Sequence, residues 1–128
     1  MPSAADEIAS GIQSKWAAAF SRLDADALAS LYSRHALFFG SNPKLYRGRD
    51  GVTSYFKGLP RWRTSAVQFR DVVAEQAGPD LVSMAGTASF DADEGAIKLS
   101  VKITWVIARE DGDWKIVSHH VSSKAPLI

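Results

Sequence analysis

The sequence predicts an α+β protein, because the helical and strand patterns occupy separate parts of the chain. Apolar residues recur at helical spacing between Ile8 and Leu23. From Ser65 onward, apolar-patterned runs separated by turn signals are typical of strands. Near the end, Asp111-Gly112 separates two long runs of strand character, and this dipeptide favours a tight hairpin turn, which needs positive φ. Helices first and antiparallel strands afterwards are typical of α+β folds.

Three helices are expected in the first half of the chain. Ser3 is a suitable N-cap for the first, and Asp6 in its first turn complements the helix dipole. Either Asp24 or Asp26 caps a short second helix, and a third helix ends near Gly58. The apolar positions assigned to them are Ile8, Ile12, Trp16, Phe20 and Leu23 in the first, Leu28, Leu31 and Tyr32 in the second, and Val52, Tyr55, Phe56 and Leu59 in the third.

The strands are expected in the following order. A short apolar strand covers residues 36–39, between the second and third helices. Residues 67–76 and 81–90 form two longer strands, joined by a turn at Gly78-Pro79-Asp80. A polar loop then leads into the hairpin of residues 99–123.

The two-residue turn sets the register of that hairpin and therefore its faces. Counting from the turn, Trp105 lies opposite Ser118, and Ile103 lies opposite His120. Directly opposed residues share a face, so the apolar inner face of the hairpin becomes polar at Ser118, His120 and Ser122. Polar groups on a buried face need partners, which predicts a cavity beside His120 that holds water or a ligand.

The opposite, outer face of the hairpin is mostly apolar in this register. Its members are Thr104, Val106, Val117, His119 and Val121. A large exposed apolar patch usually marks an interface, so we expect a homodimer through the sheet. A one-residue slip or a bulge would exchange the places of His119 and His120, and this alternative stays open at the level of sequence.

The run K-x-T-x(6)-D-G-x-W-K-I-V-x-H-H-x-S, from Lys102 to Ser122, resembles the C-terminal hairpin of the nuclear-transport-factor-2-like superfamily. It is most similar to the SnoaL-like branch, and also to the association domain of calcium/calmodulin-dependent kinase II. The resemblance implies a cone: a curved antiparallel sheet wrapped around the long N-terminal helix, with two further short helices and an apolar cavity. Ketosteroid isomerases of this superfamily carry a carboxylate base just after the first strand, where this chain has Gly40-Ser41-Asn42.

Two residues are candidates for acid–base chemistry. His120 has the side chain best suited to proton transfer near neutral pH, although a core histidine bonded to its neighbours is the alternative. Asp71 stands between Phe69 and Val73, so it either faces the apolar side, where its pKa would be raised, or faces out and pairs with a cation. The candidate ligand-binding residues, polar-tipped aromatics and one serine, are Trp16, Tyr32, Tyr55, Trp62, Trp105 and Ser118.

Composition narrows the possible functions. The 128 residues suit a single domain over 1–128, and 15 Lys and Arg against 14 Asp and Glu indicate no nucleic-acid or membrane-surface partner. The chain has no Cys, its three His residues show no ligand spacing, and there is no glycine-rich phosphate loop, so we expect no metal and no cofactor. The N-terminus lacks the pattern of a signal peptide, and we expect a cytoplasmic protein.

Together these features predict a small-molecule-binding protein with an apolar cavity, whose ligand is apolar or bears a carboxylate. Two versions stay open: a SnoaL-like enzyme of isomerase, cyclase or dehydratase type, working by acid–base chemistry on a hydrophobic substrate, or a binder without catalysis. The alternative is a non-catalytic dimerisation or association module. The sequence does not decide whether the protein is an enzyme.

Overall fold

A computed structural model describes residues 2–128, and these residues form three helices and one six-stranded sheet. The helices are α1 (Ala4–Ser21), α2 (Ala25–Ala29) and α3 (Gly48–Lys57). The strands are β1 (Tyr32–Phe39), β2 (Leu45–Arg47), β3 (Ser65–Gly78), β4 (Leu81–Ala92), β5 (Ile97–Glu110) and β6 (Asp113–Ser123). The α+β class and the long N-terminal helix are therefore confirmed.

The strand order across the sheet is β2-β1-β6-β5-β4-β3. Within the described residues, neighbouring strands run antiparallel except for β1 and β6, which run parallel. The sheet is thus mixed, where the sequence suggested an antiparallel one. A parallel pair needs a long crossover connection, and here β2, α3 and the β3–β5 meander supply it.

Local sequence signals start the first two helices as expected. Ser3 and Asp6 form a reciprocal capping box at α1, each side chain accepting a backbone N–H of the other at 3.1 Å. Asp24, and not Asp26, caps α2 by accepting the N–H of Ala27 at 3.0 Å. The predicted helical position of Tyr32 is wrong: α2 ends after little more than one turn, and Tyr32 begins β1 opposite Ile116 of β6.

Helix α3 is fixed to the first strand by a side chain. Its Arg49 donates from Nε to the carbonyl oxygen of Tyr32 at 2.8 Å. Val52 and Phe56 are buried beneath it, and Gly58 is its C-cap, as expected. Sequence patterning did not predict β2, which precedes this helix and pairs with β1.

Apart from Ala92, the buried apolar side chains of the described residues form one cluster between the helices and the inner face of the sheet. At its centre, Trp16 of α1 stacks on Phe20 with ring centroids 5.3 Å apart and meets Trp105 of β5 at 6.5 Å. Trp105 is completely buried. Among residues 2–128, no helix has both the length and the apolar character that crossing a bilayer requires.

The hairpin begins in the predicted register and then departs from it. Asp111 and Gly112 both have positive φ, and Ile107 lies opposite Ile116 as expected. A β-bulge follows, with Val106 opposite Ser118 and Val117 left as the extra residue. Because one extra residue inverts the alternation of faces, every pairing beyond this point differs from the prediction.

The bulge exchanges the two histidines. Trp105 lies opposite His119, and Thr104 lies opposite His120. His119 is buried on the inner face, whereas His120 is exposed on the outer one. The expectation that His120 faces the cavity is therefore wrong, and the open alternative of a bulge is the one realised.

Candidate functional site

A cavity of about 520 Å³ opens between α1, α3 and the inner face of the sheet. Aromatic and aliphatic side chains form most of its wall. None of the described residues that line it is Asp, Glu, Lys or Arg. The lining consists of Trp16, Phe20, Phe38, Gly40, Ser41, Tyr55, Phe56, Leu59, Pro60, Trp62, Phe90, Ala92, Ile97, Leu99, Val101, His119, Val121, Ser122 and Ser123.

His119 is the ionisable imidazole in this wall. Only 4% of the residue is exposed. The ring of Phe38 stacks on it with centroids 4.1 Å apart and planes 20° from parallel. Strand β6 and the neighbouring strand β1 therefore hold the imidazole between them in one orientation.

Two donors converge on one nitrogen of this ring. The indole Nε1–H of Trp105 donates to Nδ1 of His119 at 2.9 Å. An indole nitrogen can only donate, so Nδ1 carries no hydrogen. The hydroxyl oxygen of Tyr32 lies 2.8 Å from the same Nδ1 and itself accepts the Nε1–H of Trp16 at 2.9 Å. Tyr32 consequently directs its hydrogen to Nδ1, which accepts two hydrogen bonds.

The hydrogen of the neutral ring is then on Nε2. Every fully enclosed side-chain nitrogen or oxygen in the described part of the chain has a partner. Within residues 2–128, Nε2 of His119 makes no hydrogen bond, and the residue lines the cavity. Nε2 is therefore not enclosed, and its N–H faces the cavity as a donor.

Burial keeps His119 in this neutral form. Burial, assisted by the neighbouring charge of His120, lowers the pKa of His119 to about 3. Burial also raises the pKa of Tyr32 far above its ordinary value, so its phenol stays protonated. At neutral pH the ring can donate from Nε2, but its lone pair on Nδ1 is occupied by Trp105 and Tyr32.

A second polar group stands at the rim of the cavity. The hydroxyl of Tyr55 accepts the N–H of Ser41 at 3.0 Å and lies 2.7 Å from the Ser41 hydroxyl oxygen. The Tyr55 ring lies so close to Gly40 that a Cβ at that position would be 2.5 Å from Cζ of Tyr55. The glycine thus allows α3 to bring Tyr55 over the end of β1.

The predicted ligand-binding residues divide into three groups. Trp16, Tyr55 and Trp62 line the cavity. Tyr32 and Trp105 lie behind the wall and act on it through His119. Ser118 lies opposite Val106, away from the cavity, because of the bulge in β6.

The two residues expected to carry acid–base chemistry lie outside the cavity. His120 is exposed on the outer face. Asp71 is also exposed, at a register shift in β3 where its own φ is 53°. The strand bulges there, so the alternation between Phe69 and Val73 does not carry Asp71 inward. The predicted placement of His120 in the cavity is wrong, and for Asp71 the alternative that it faces out is the one found.

Sequence reasoning missed Phe38, and it placed His119 at the site only in the open alternative of a bulge. One signal was present: a buried Trp usually needs an acceptor for its indole N–H, and Ser118 and His119 are both near Trp105 in a hairpin. Choosing between them requires the position of the bulge. No group of three or more His, Cys, Asp or Glu side chains among residues 2–128 is arranged to hold a metal ion.

The family model of the SnoaL-like domain matches residues 11–126. The chain belongs to the SnoaL-like domain family. No curated protein matches the sequence.

Solved structures show the same fold at low identity. A protein from Xanthomonas campestris, provisionally named a calcium/calmodulin-dependent protein kinase II association domain, is 21% identical over 99% of this chain and 91% of its own, with a TM-score of 0.85. A provisionally named scytalone dehydratase from Novosphingobium aromaticivorans is 10% identical over 93% and 83%, with a TM-score of 0.83. An NTF2-like protein of unknown function from Pseudomonas putida is 17% identical over 99% and 92%, with a TM-score of 0.82.

Proposed function

We propose that this SnoaL-like protein binds a small, largely apolar molecule in the cavity beside His119. The observation that carries the proposal is one inward-facing N–H in a wall that is otherwise mostly aromatic and aliphatic. Small-molecule sites commonly have this composition: an apolar concavity of several hundred Å³ with a few fixed polar groups. The cavity of about 520 Å³ is in that range.

Binding is better supported than proton-transfer catalysis. An isomerase, cyclase or dehydratase of the acid–base type needs a group that accepts a proton from the substrate. The described lining contains no carboxylate, and the lone pair of His119 is on Nδ1, facing Trp105 and Tyr32. One structural neighbour is named a scytalone dehydratase, but its sequence identity is low. Its similarity therefore supports the fold and not the dehydratase activity.

The test is a thermal-shift screen with a variant that fills the cavity. Steroids, polyketide-like aromatics and small apolar carboxylates are added to the wild type, to Val121→Trp and to Leu127→Trp. Val121 lines the cavity, whereas Leu127 is exposed in the C-terminal tail and is not part of the lining, so the second variant is the control. A ligand at about 100 times its Kd stabilises the folded state by about 2.7 kcal/mol, which raises Tm by several degrees.

We expect at least one compound to stabilise the wild type and Leu127→Trp but not Val121→Trp. Equal stabilisation of all three proteins would place binding elsewhere on the surface. No stabilisation of the wild type by any class of compound would overturn the proposal.

A second candidate function, association of two copies, is favoured by the outer face of the sheet. The registers bring exposed apolar residues of β2, β1 and β3 onto one face with His120 and Thr104. His119 and Val121, which were expected on this face, line the cavity instead. The large exposed apolar residues on the outer face are Leu37, Phe39, Leu45 and Val73, together with Leu81 of β4.

A further inference from the structure

We propose that the cavity selects neutral ligands that place a hydrogen-bond-accepting oxygen, such as a ketone, ester or ether oxygen, on Nε2–H of His119. Trp105 and Tyr32 are the positioning residues that hold the ring in this donating form. The inference rests on the proposed function and narrows the class of ligand.

The requirement for an acceptor follows from the direction of the free N–H. Nε2 of His119 has no partner within residues 2–128, and rings such as Phe38 surround it. A ligand that covers this N–H with hydrocarbon removes it from water without replacing the hydrogen bond, which is unfavourable. A ligand with an oxygen at that position replaces the lost water, so the two should differ in affinity by about tenfold.

The preference for a neutral ligand follows from the absence of charge in the described lining. A carboxylate entering the cavity would lose its hydration with no Lys or Arg of the lining to replace it. An ammonium group would meet the aromatic faces favourably, but at His119 it would face the positive end of an N–H dipole. Neither ionic class fits the arrangement as well as an uncharged acceptor.

Two residues outside the cavity lining stabilise the tautomer of His119 that carries its hydrogen on Nε2. The Nε1–H of Trp105 and the hydroxyl of Tyr32 both point at Nδ1, at 2.9 and 2.8 Å. Trp16 in turn donates to the Tyr32 oxygen, which directs the phenol hydrogen toward the ring. Moving the ring hydrogen to Nδ1 would oppose it to the Trp105 N–H, so this tautomer is disfavoured.

The experiment uses four probes with one three-ring skeleton. They are fluorenone, fluorene, fluorene-9-carboxylate and 9-aminofluorene. Binding is followed by tryptophan fluorescence, because Trp16 and Trp62 line the cavity. The tautomer and the ligand contact are followed by long-range ¹H–¹⁵N spectra of the histidine rings in ¹⁵N-labelled wild type.

We expect the spectra to show His119 neutral with its hydrogen on Nε2, before any ligand is added. Fluorenone should bind about tenfold more tightly than fluorene and should shift the Nε2 resonance, while both ionic probes bind more weakly than fluorenone. In His119→Phe, the difference in affinity between fluorenone and fluorene should disappear, because fluorene no longer covers an N–H and fluorenone no longer finds a donor. In the double variant Tyr32→Phe, Trp105→Phe, the Nδ1–H form of the ring should become detectable.

Three results would overturn the inference, and they separate it from the proposed function. Equal binding of fluorenone and fluorene would disprove the selectivity for an acceptor while leaving the binding function intact. A ring that is protonated or carries its hydrogen on Nδ1 at pH 7 would disprove the tautomer assignment. Failure of all four probes to bind would overturn both proposals. These readings come from the wild type, so they stand even where a variant fails to fold.

Discussion

The indole Nε1–H of Trp105 meets Nδ1 of His119 at 2.9 Å across the β5–β6 pair. This contact assigns the hydrogen of a buried imidazole to its other nitrogen, which borders the cavity. The register of the hairpin, which places Trp105 opposite His119, therefore decides which nitrogen of His119 can donate to a ligand.

The stability of the protein should fall on mild acidification because of His119. Burial lowers its pKa from the ordinary 6.5 to about 3 in the folded state. Between these values the unfolded chain binds a proton that the folded chain does not, so stability is complete above the unfolded pKa and is lost as the pH falls toward 3. From pH 7.5 to pH 5, this group alone should remove about 2 kcal/mol from the free energy of unfolding.

Urea denaturation of the wild type, His119→Phe and His120→Gln at both pH values measures this effect. The loss should persist in His120→Gln, whose ring is exposed, and should shrink by about 2 kcal/mol in His119→Phe. An equal pH dependence in all three proteins would contradict the assignment.

Tyr32→Phe should destabilise the fold although it removes one atom. The Nε1–H of Trp16 donates to the Tyr32 hydroxyl in the buried core and would be left without an acceptor. An unsatisfied buried donor costs about 1–3 kcal/mol. Tyr46→Phe is the matched control, since its hydroxyl accepts only from the exposed Asn42 among the described residues. Equal free energies of unfolding for the two variants would argue against the buried hydrogen bond from Trp16 to Tyr32.

Two glycine-to-alanine changes should have opposite signs. In Gly40→Ala the new Cβ would lie 2.5 Å from Cζ of Tyr55, so the ring must move away from Ser41. We expect a loss of about 1–3 kcal/mol in the free energy of unfolding and weaker ligand binding at the rim. In Gly11→Ala, inside α1, a Cβ meets nothing within 4 Å. This change should stabilise by about 0.5–1 kcal/mol, and thermal unfolding of the two variants checks both signs.

Phe39→Lys should separate a dimer formed through the outer face. Phe39 is exposed there and meets His120 edge-on, with ring centroids 5.4 Å apart. A charge on each copy would be placed in the apolar interface without a partner. Light scattering coupled to gel filtration should show a dimer for the wild type and for Leu127→Lys, an exposed position in the C-terminal tail, and a monomer for Phe39→Lys. A dimeric Phe39→Lys would place the interface elsewhere.

Much of the fold could be predicted because its signals are local. The Ser3 capping box, the helical stripe through Trp16 and Phe20, and the turn at Asp111-Gly112 each depend on residues close together in the chain. The hairpin motif also predicted the SnoaL-like family. The parallel pairing of β1 with β6 was not predictable in this way, because it joins segments separated by most of the chain.

The sequence by itself determined the family and most of the elements, β2 excepted, and it predicted a histidine beside an apolar cavity. Only the tertiary structure decided which histidine it is. Side chains alternate along a strand with a period of two residues, so the single extra residue at Val117 reverses every face beyond it. Two donors support that choice, Trp105 from β5 and Tyr32 from β1. Tyr32 reaches His119 because β6 pairs with β1, two segments that are far apart in the sequence.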